Sequence, residues 1–162
     1  MTFVFEKPTG TKREIFHDLA LQARGLFKDE RDAIANAANL ASLIFTSLDD
    51  LNWAGFYLLK GGMLVLGPFQ GRPACVRIEM GRGVCGTAAA KRQTLVVDDV
   101  EKFPGHIACD VASRSEIVIP LVRDGLVIGV LDIDAPVAAR FDAEDREGLE
   151  TLARLWLDAS DI

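Results

Sequence analysis

The sequence has little from which to build a metal centre or a disulfide scaffold: two histidines and three cysteines in 162 residues. The cysteines stand at 75, 85 and 109. Zinc ligands usually come as close pairs, which neither interval provides, so a metal is disfavoured. The opening MTFVFEKPTG has no basic n-region and no apolar h-region. No signal peptide is expected, and a cytoplasmic address follows. In such a reducing compartment a disulfide scaffold is not expected, so an odd thiol needs another use. No apolar run reaches the length of a membrane span. Positive charge is also scarce, 18 Lys and Arg against 24 Asp and Glu, for a net charge of −6. That balance argues against nucleic acid or an anionic membrane as the main partner.

What is present is an ordinary globular composition, 49% hydrophobic and 26% charged, at a length that suits one domain over 1–162. Two helical patterns occupy 1–50. In 11–27 the apolar positions Ile15, Leu19, Ala23 and Leu26 recur at helical spacing, with Phe16 and Ala20 widening the stripe. Asp29 is the expected N-cap of a second helix that buries Ile34, Ala37, Ala38, Ala41, Ile44, Phe45 and Leu48 and ends at Asp49 and Asp50. In 51–162 the period becomes strand-like. Strands are expected at 53–60 and 63–66 around Gly61-Gly62, then at 75–78 and 95–97, with a loop over 67–73 and a short helix opened by the glycine-rich 81–86 turn. The loop over 98–115 is long for such a chain, which makes it a place to look for function. Strands at 116–123 and 126–135 flank Asp124-Gly125, a hairpin dipeptide, and Asp142 caps a final helix carrying Leu149, Leu152, Ala153 and Trp156. Hairpins force antiparallel pairing. The expected class is α+β, with a central antiparallel sheet of about six strands and flanking helices.

Four groups of residues have chemical potential. Cys85 lies in Gly-Val-Cys-Gly at an expected helix start, where unpaired amides favour a thiolate; Cys109 lies deep in the long loop, and Cys75 begins a short strand. An isolated cysteine is more often a small buried hydrophobe. Asp132 and Asp134, two apart on a strand, share one face, which alternation alone would assign equally well to solvent. Counting back from the turn pairs Arg123 with Leu126 and Glu116 with Ile133, which brings Glu116 next to both aspartates. Three neighbouring acids would repel one another and hold a proton near neutrality. Trp53, Gly55 and Tyr57 share a strand face: a core pattern in the ordinary case, or an open glycine floor between two aromatics suited to a small apolar or cationic group. His106 stands three residues before Cys109, either as a loop histidine or as a group that lowers the thiol pKa.

Together, Asn-Trp-Ala-Gly-Phe-Tyr at 52–57, Pro-Phe-Gln-Gly at 68–71, Gly-Val-Cys-Gly-Thr-Ala at 83–88, Phe-Pro-Gly-His-Ile-Ala-Cys-Asp at 103–110, Ser-Glu-Ile-Val-Ile-Pro at 115–120 and Gly-Val-Leu-Asp-Ile-Asp at 129–134 resemble the free methionine-(R)-sulfoxide reductases, small enzymes on the GAF fold. The resemblance implies that Cys109 attacks the sulfoxide and that Cys75 or Cys85 supplies the second thiol. It further implies that Glu116, Asp132 and Asp134 form the acid cluster, with Glu116 or Asp134 handling the proton. Trp53, with Tyr57 beside it, would wall the substrate pocket. Asp132 would meet the substrate ammonium, and amides near Gly83 and Gly86 its carboxylate. No bound cofactor is implied. The implied partners are free methionine-R-sulfoxide and thioredoxin as reductant, with a homodimer as the assembly. Two other readings compete: a non-catalytic GAF sensor of a small ligand, against which no fused output domain is expected, and a thiol redox sensor, which would leave the acids and the aromatic wall without a task.

Overall fold

The computed structural model describes residues 3–107 and 111–162. Helix α1 (Lys12–Leu26) starts where Thr11 and Glu14 form a reciprocal capping box. Helix α2 (Ala33–Ser47) is capped by Asp32, whose side chain accepts from the Ala35 amide, and not by Asp29. Asp29 has φ 65°, the left-handed geometry of the preceding turn, which an N-cap does not adopt. The buried face also differs from expectation. Asn36, Leu40 and Leu43 are buried alongside Ala37, Ala41 and Ile44, whereas Ile34 is exposed and Ala38 faces outward.

Six strands follow: β1 (Trp53–Lys60), β2 (Met63–Gly71), β3 (Arg77–Glu79), β4 (Leu95–Val97), β5 (Ser115–Arg123) and β6 (Leu126–Ala135). They form one sheet in the order β3-β2-β1-β6-β5-β4, every pair antiparallel. Helix α3 (Gly83–Lys91) lies between β3 and β4, a 3-10 turn (Val100–Lys102) interrupts the long loop, and α4 (Ala143–Ala159) closes the chain. The α+β class with six strands is as expected.

The bounds of β2 and β3 differ from expectation. β2 runs on through Gly71 where a loop was expected. β3 pairs only as far as Val65, so Pro68 sits on an open strand edge where its missing N–H costs no ladder bond. β3 begins at Arg77, so Cys75 stands in the segment before the strand. The hairpin register is also shifted. Asp124 and Gly125 take φ 51° and 75°, as a type I′ turn requires, and Arg123 pairs with Leu126. A bulge at Leu121/Val122 then moves the ladder, so that Glu116 pairs with Asp134 and Ile117 with Ile133. The physical consequence is large. Opposed residues of an antiparallel pair point the same way, so the uninterrupted register would have put Glu116 on the Ile133 face, away from both aspartates.

The two faces of the sheet carry separate cores. Ala54, Phe56, Ile117, Ile119, Leu131 and Ile133 face α1, α2 and α4, with Trp156 packed 5.0 Å from Phe56. Lys12 on α1 binds Asp142 and the buried Asp145 of the α4 capping box, and Arg140 donates to the same Asp145, which fixes α1 against α4. The opposite face presents Trp53, Tyr57, Val118 and Val130 to α3 and its flanking loops. Gly86 makes that approach close: a Cβ there would stand 2.2 Å from the Glu79 carbonyl oxygen. No helix among the described residues is long and apolar enough to cross a membrane.

Candidate active site

The α3 face of the sheet contains a pocket lined by Trp53, Tyr57, Cys85, Glu116, Asp132 and Asp134, together with the 73–74 segment, the start of α3 and His106. Its floor is a row across three strands. Asp134 of β6 is opposed on one side by Trp53 of β1 and on the other by Glu116 of β5. In the next row Asp132 lies between Gly55 and Val118. The period of two along β6 therefore places both aspartates in the pocket, and the β5–β6 bulge brings Glu116 to join them.

Glu116 and Asp132 are each only 6% exposed. Burial pushes the Glu116 carboxyl well above its ordinary range, and the charges of Asp132 and Asp134 push it further. Burial likewise raises Asp132 to about 6, while hydrogen bonds with Cys85 and Glu116 act in the opposite direction. Both shifts favour the protonated carboxyl over the carboxylate in this cluster. Cys85, in the first turn of α3, reaches this pair from above, its thiol 3.8 Å from Glu116 Oε1. The expectation that the helix start would favour a thiolate there fails. Burial and the charges of Asp132 and Glu116 push the thiol well above its ordinary value, and both effects outweigh a fraction of a helix-end charge.

The aromatic wall is built differently from an open floor. The space above Gly55 is filled: a Cβ there would lie 2.3 Å from Phe69 Cβ and 2.7 Å from the Trp53 ring. Glycine allows Trp53 to lie flat between Phe69, at 5.3 Å, and Tyr57, at 5.8 Å. Trp53 Nε1 donates to the Arg72 carbonyl at 3.1 Å and the Tyr57 hydroxyl to the Cys75 carbonyl at 3.0 Å. Burial first, then the charge of Asp132, pushes the Tyr57 hydroxyl upward, so it remains a donor. These two bonds fasten the segment that carries Cys75 to the aromatic wall.

Cys75 is disulfide-bonded and Cys85 is a free, buried thiol. Cys109, the expected nucleophile, lies outside the described residues. Burial pushes His106 downward, towards its neutral form, which gives it no fixed positive charge to lend a neighbouring thiol. At the start of α3, Gly86 is the first residue whose N–H reaches back along the helix, to Arg82. The Gly83, Val84 and Cys85 amides precede it at the pocket wall. Three pocket or supporting residues were missed in the sequence. Arg82 sits at the α3 cap and Ser113 accepts from Asn52 Nδ2 at 3.0 Å, while Phe69 backs Trp53. The Arg82 position next to a glycine-rich helix start was the one available signal; Ser113 and Phe69 depend on long-range packing.

An antiparallel six-stranded sheet, helices on one face and a short helix with loops closing a small pocket on the other, defines a GAF domain, and the GAF domain family model matches residues 35–156. The chain is 54% identical to the free methionine-R-sulfoxide reductase of Escherichia coli, over 87% of this chain and 86% of that protein. It superposes on the free methionine-R-sulfoxide reductase of Neisseria meningitidis, solved in complex with its substrate, with a TM-score of 0.93 and 42% identity over 98% of this chain and 95% of that one. A solved structure described as a GAF sensor protein, from Burkholderia vietnamiensis, is 62% identical with a TM-score of 0.91, over 93% and 96% of the two chains. The chain belongs to the free methionine-R-sulfoxide reductase family of GAF domain proteins.

Proposed function

We propose that this protein reduces free L-methionine-(R)-sulfoxide to L-methionine, with thioredoxin as the recycling reductant in a reducing cytoplasm and a homodimer as the working assembly. The observation that carries this reading is the Trp53–Asp134–Glu116 row with Asp132 beside it: a flat aromatic wall directly against acids whose burial favours the protonated form. The names and the substrate complex of the relatives support the same substrate.

The chemistry needs a nucleophile and a proton. The Cys109 thiolate attacks the sulfoxide sulfur, and a carboxyl of the cluster, Glu116 or Asp134, delivers a proton to the sulfoxide oxygen, which would otherwise leave as oxide. Attack joins the Cys109 sulfur to the sulfoxide sulfur; the protonated oxygen then passes to the Cys109 sulfur as the S–O and S–S bonds to the methionine sulfur break, and methionine is released with its sulfur reduced by two electrons. Cys109 carries the oxygen as a sulfenic acid. Of the two candidates for the second thiol, the observations favour Cys75: it is disulfide-bonded, whereas Cys85 is free and its thiol is pushed upward by burial. Condensation of the sulfenic acid with the Cys75 thiol forms the disulfide and releases water. The thioredoxin dithiol then exchanges with it, restoring both cysteines.

Substrate selection follows from the walls. The ammonium is placed on the carboxylates, Asp132 among them, and the methyl group against Trp53, with Tyr57 beside it. The carboxylate is placed at the Gly83, Val84 and Cys85 amides, where a helix start favours an anion. A methionine sulfoxide inside a peptide has neither free end for these contacts. The test is NADPH consumption coupled through thioredoxin reductase and thioredoxin, with the R and S forms of the free amino acid. Turnover of the R form alone supports the proposal, and no turnover of the R form by reduced protein would sink it.

A further inference from the structure

The Cys85 thiol has no part in the reaction proposed above, where only the backbone amide of this residue is used, yet the side chain is buried beside Glu116 and Asp132. One ligating atom each from Cys85, Glu116 and Asp132 lies within 4.8 Å of the others, and all three residues are buried. The cysteine Sγ and Glu116 Oε1 are 3.8 Å apart. A tetrahedral zinc ion with Zn–S of about 2.3 Å and Zn–O of about 2.0 Å sets sulfur and oxygen about 3.5 Å apart, so the pair needs to close by only a few tenths of an ångström. A second observation points to a ligand independently: Asp132, 6% exposed and lining the pocket, has its Oδ1 buried with no hydrogen-bond partner. A buried carboxylate oxygen of that kind carries a desolvation cost that a cation would offset.

We propose that Cys85, Glu116 and Asp132 form a binding site for one thiophilic divalent cation, with Zn2+ as the reference ion and water as the fourth ligand. The three ligands come from α3, β5 and β6, which is why the close-pair spacing sought in the sequence does not reveal them. One sulfur with two carboxylate oxygens selects zinc or cobalt over magnesium, which requires about six oxygen ligands in an octahedron. On binding, the Cys85 S–H bond breaks and the proton passes to buffer, as does any proton the carboxylates hold. On the reductase reading, and on that reading only, an occupying ion and the substrate's ammonium exclude one another, because both use the same carboxylates.

The site is tested on the oxidised protein, without reductant or substrate, where Cys75 is in its disulfide and Cys85 is a free thiol. Co2+ is titrated and the near-ultraviolet thiolate-to-cobalt charge-transfer band recorded, followed by displacement with Zn2+. The expected result is one ion per chain, a charge-transfer band in the wild type that Cys85→Ser lacks, and affinity lower by about tenfold or more in the isosteric Glu116→Gln and Asp132→Asn variants. Absence of the band in the wild type, Co2+ affinity in Cys85→Ser within twofold of wild type, or Mg2+ binding as tightly as Zn2+ would each overturn the proposal. The wild-type spectrum decides even if a variant fails to fold. Because no turnover is measured, the outcome is independent of whether the protein reduces methionine sulfoxide.

Discussion

Glu116 and Asp134 are directly opposed across β5 and β6, with Trp53 completing the row on β1. The pairing exists because one bulge at Leu121/Val122 shifts the hairpin by a residue. Without it, Glu116 would face the helical side among Ile117's neighbours, and the acids would never meet.

Asp132 and Glu116 are raised above their unfolded values, so the native state binds more protons than the unfolded chain in that interval. Stability is then fully present below the ordinary carboxylate range and falls as pH rises through about 6, where Asp132 ionises. Thermal unfolding followed from pH 4 to pH 8 is expected to show a falling Tm over this window, and Asp132→Asn, which has no charge to bury, is expected to flatten the fall. A Tm that climbs over the window in the wild type would contradict the assignment.

Gly55→Ala tests the aromatic wall. The new methyl would lie 2.3 Å from Phe69 Cβ and 2.7 Å from the Trp53 ring, so Trp53 must tilt from its position between Tyr57 and Phe69. Overpacking of this kind costs about 1–3 kcal/mol, measurable by urea unfolding. KM for free methionine-R-sulfoxide is expected to rise, because the surface that receives the methyl group moves. An unchanged Tm and KM would show that the space above Gly55 is not needed.

Asp145→Ala separates scaffold from site. Asp145 is 1% exposed and binds Lys12, Arg140 and the Asp142 amide. Removing it takes the carboxylate partner from the partly buried Arg140 guanidinium, which keeps its hydrogen bond to the Asp49 carbonyl, and a loss of about 3 kcal/mol is expected in equilibrium unfolding. The pocket residues lie across the sheet from this cluster, so kcat in the folded variant at low temperature is expected to stay within about twofold of wild type, a range worth less than ~0.5 kcal/mol.

Much of this architecture was legible from local rules. Alternation and the Gly61-Gly62 and Asp124-Gly125 turns located β1, β6 and the hairpins, and Asp142 announced α4, because those signals lie within a few residues of what they specify. Asp29 misled because its turn geometry, φ 65°, cannot be told from a cap by residue type. The site was partly legible. Asp132 and Asp134 share a face by period alone, but the position of Glu116 depends on a bulge that no turn residue announces. Cys85 was misjudged for a related reason: a helix start was visible, whereas the two carboxylates packed against it come from distant strands.

The cysteine assignments give a separate expectation. Reduced Cys75→Ser should release about one methionine per chain in a single turnover and then stall, because the sulfenic acid has no second thiol in place. Cys85→Ser should still form the disulfide, as Cys85 is free while Cys75 is bonded. Mass spectrometry of the quenched protein distinguishes the sulfenic acid from the disulfide. Disulfide formation that stops in Cys85→Ser and continues in Cys75→Ser would exchange the two roles.

The most direct test mixes reduced protein with free methionine-R-sulfoxide in the absence of thioredoxin and counts methionine against oxidised chain. One methionine per chain, appearing together with a Cys75–Cys109 disulfide in the wild type and absent in Cys109→Ser, is the expected result. Methionine formed at the same rate by Cys109→Ser, or none formed by the reduced wild type, would contradict it.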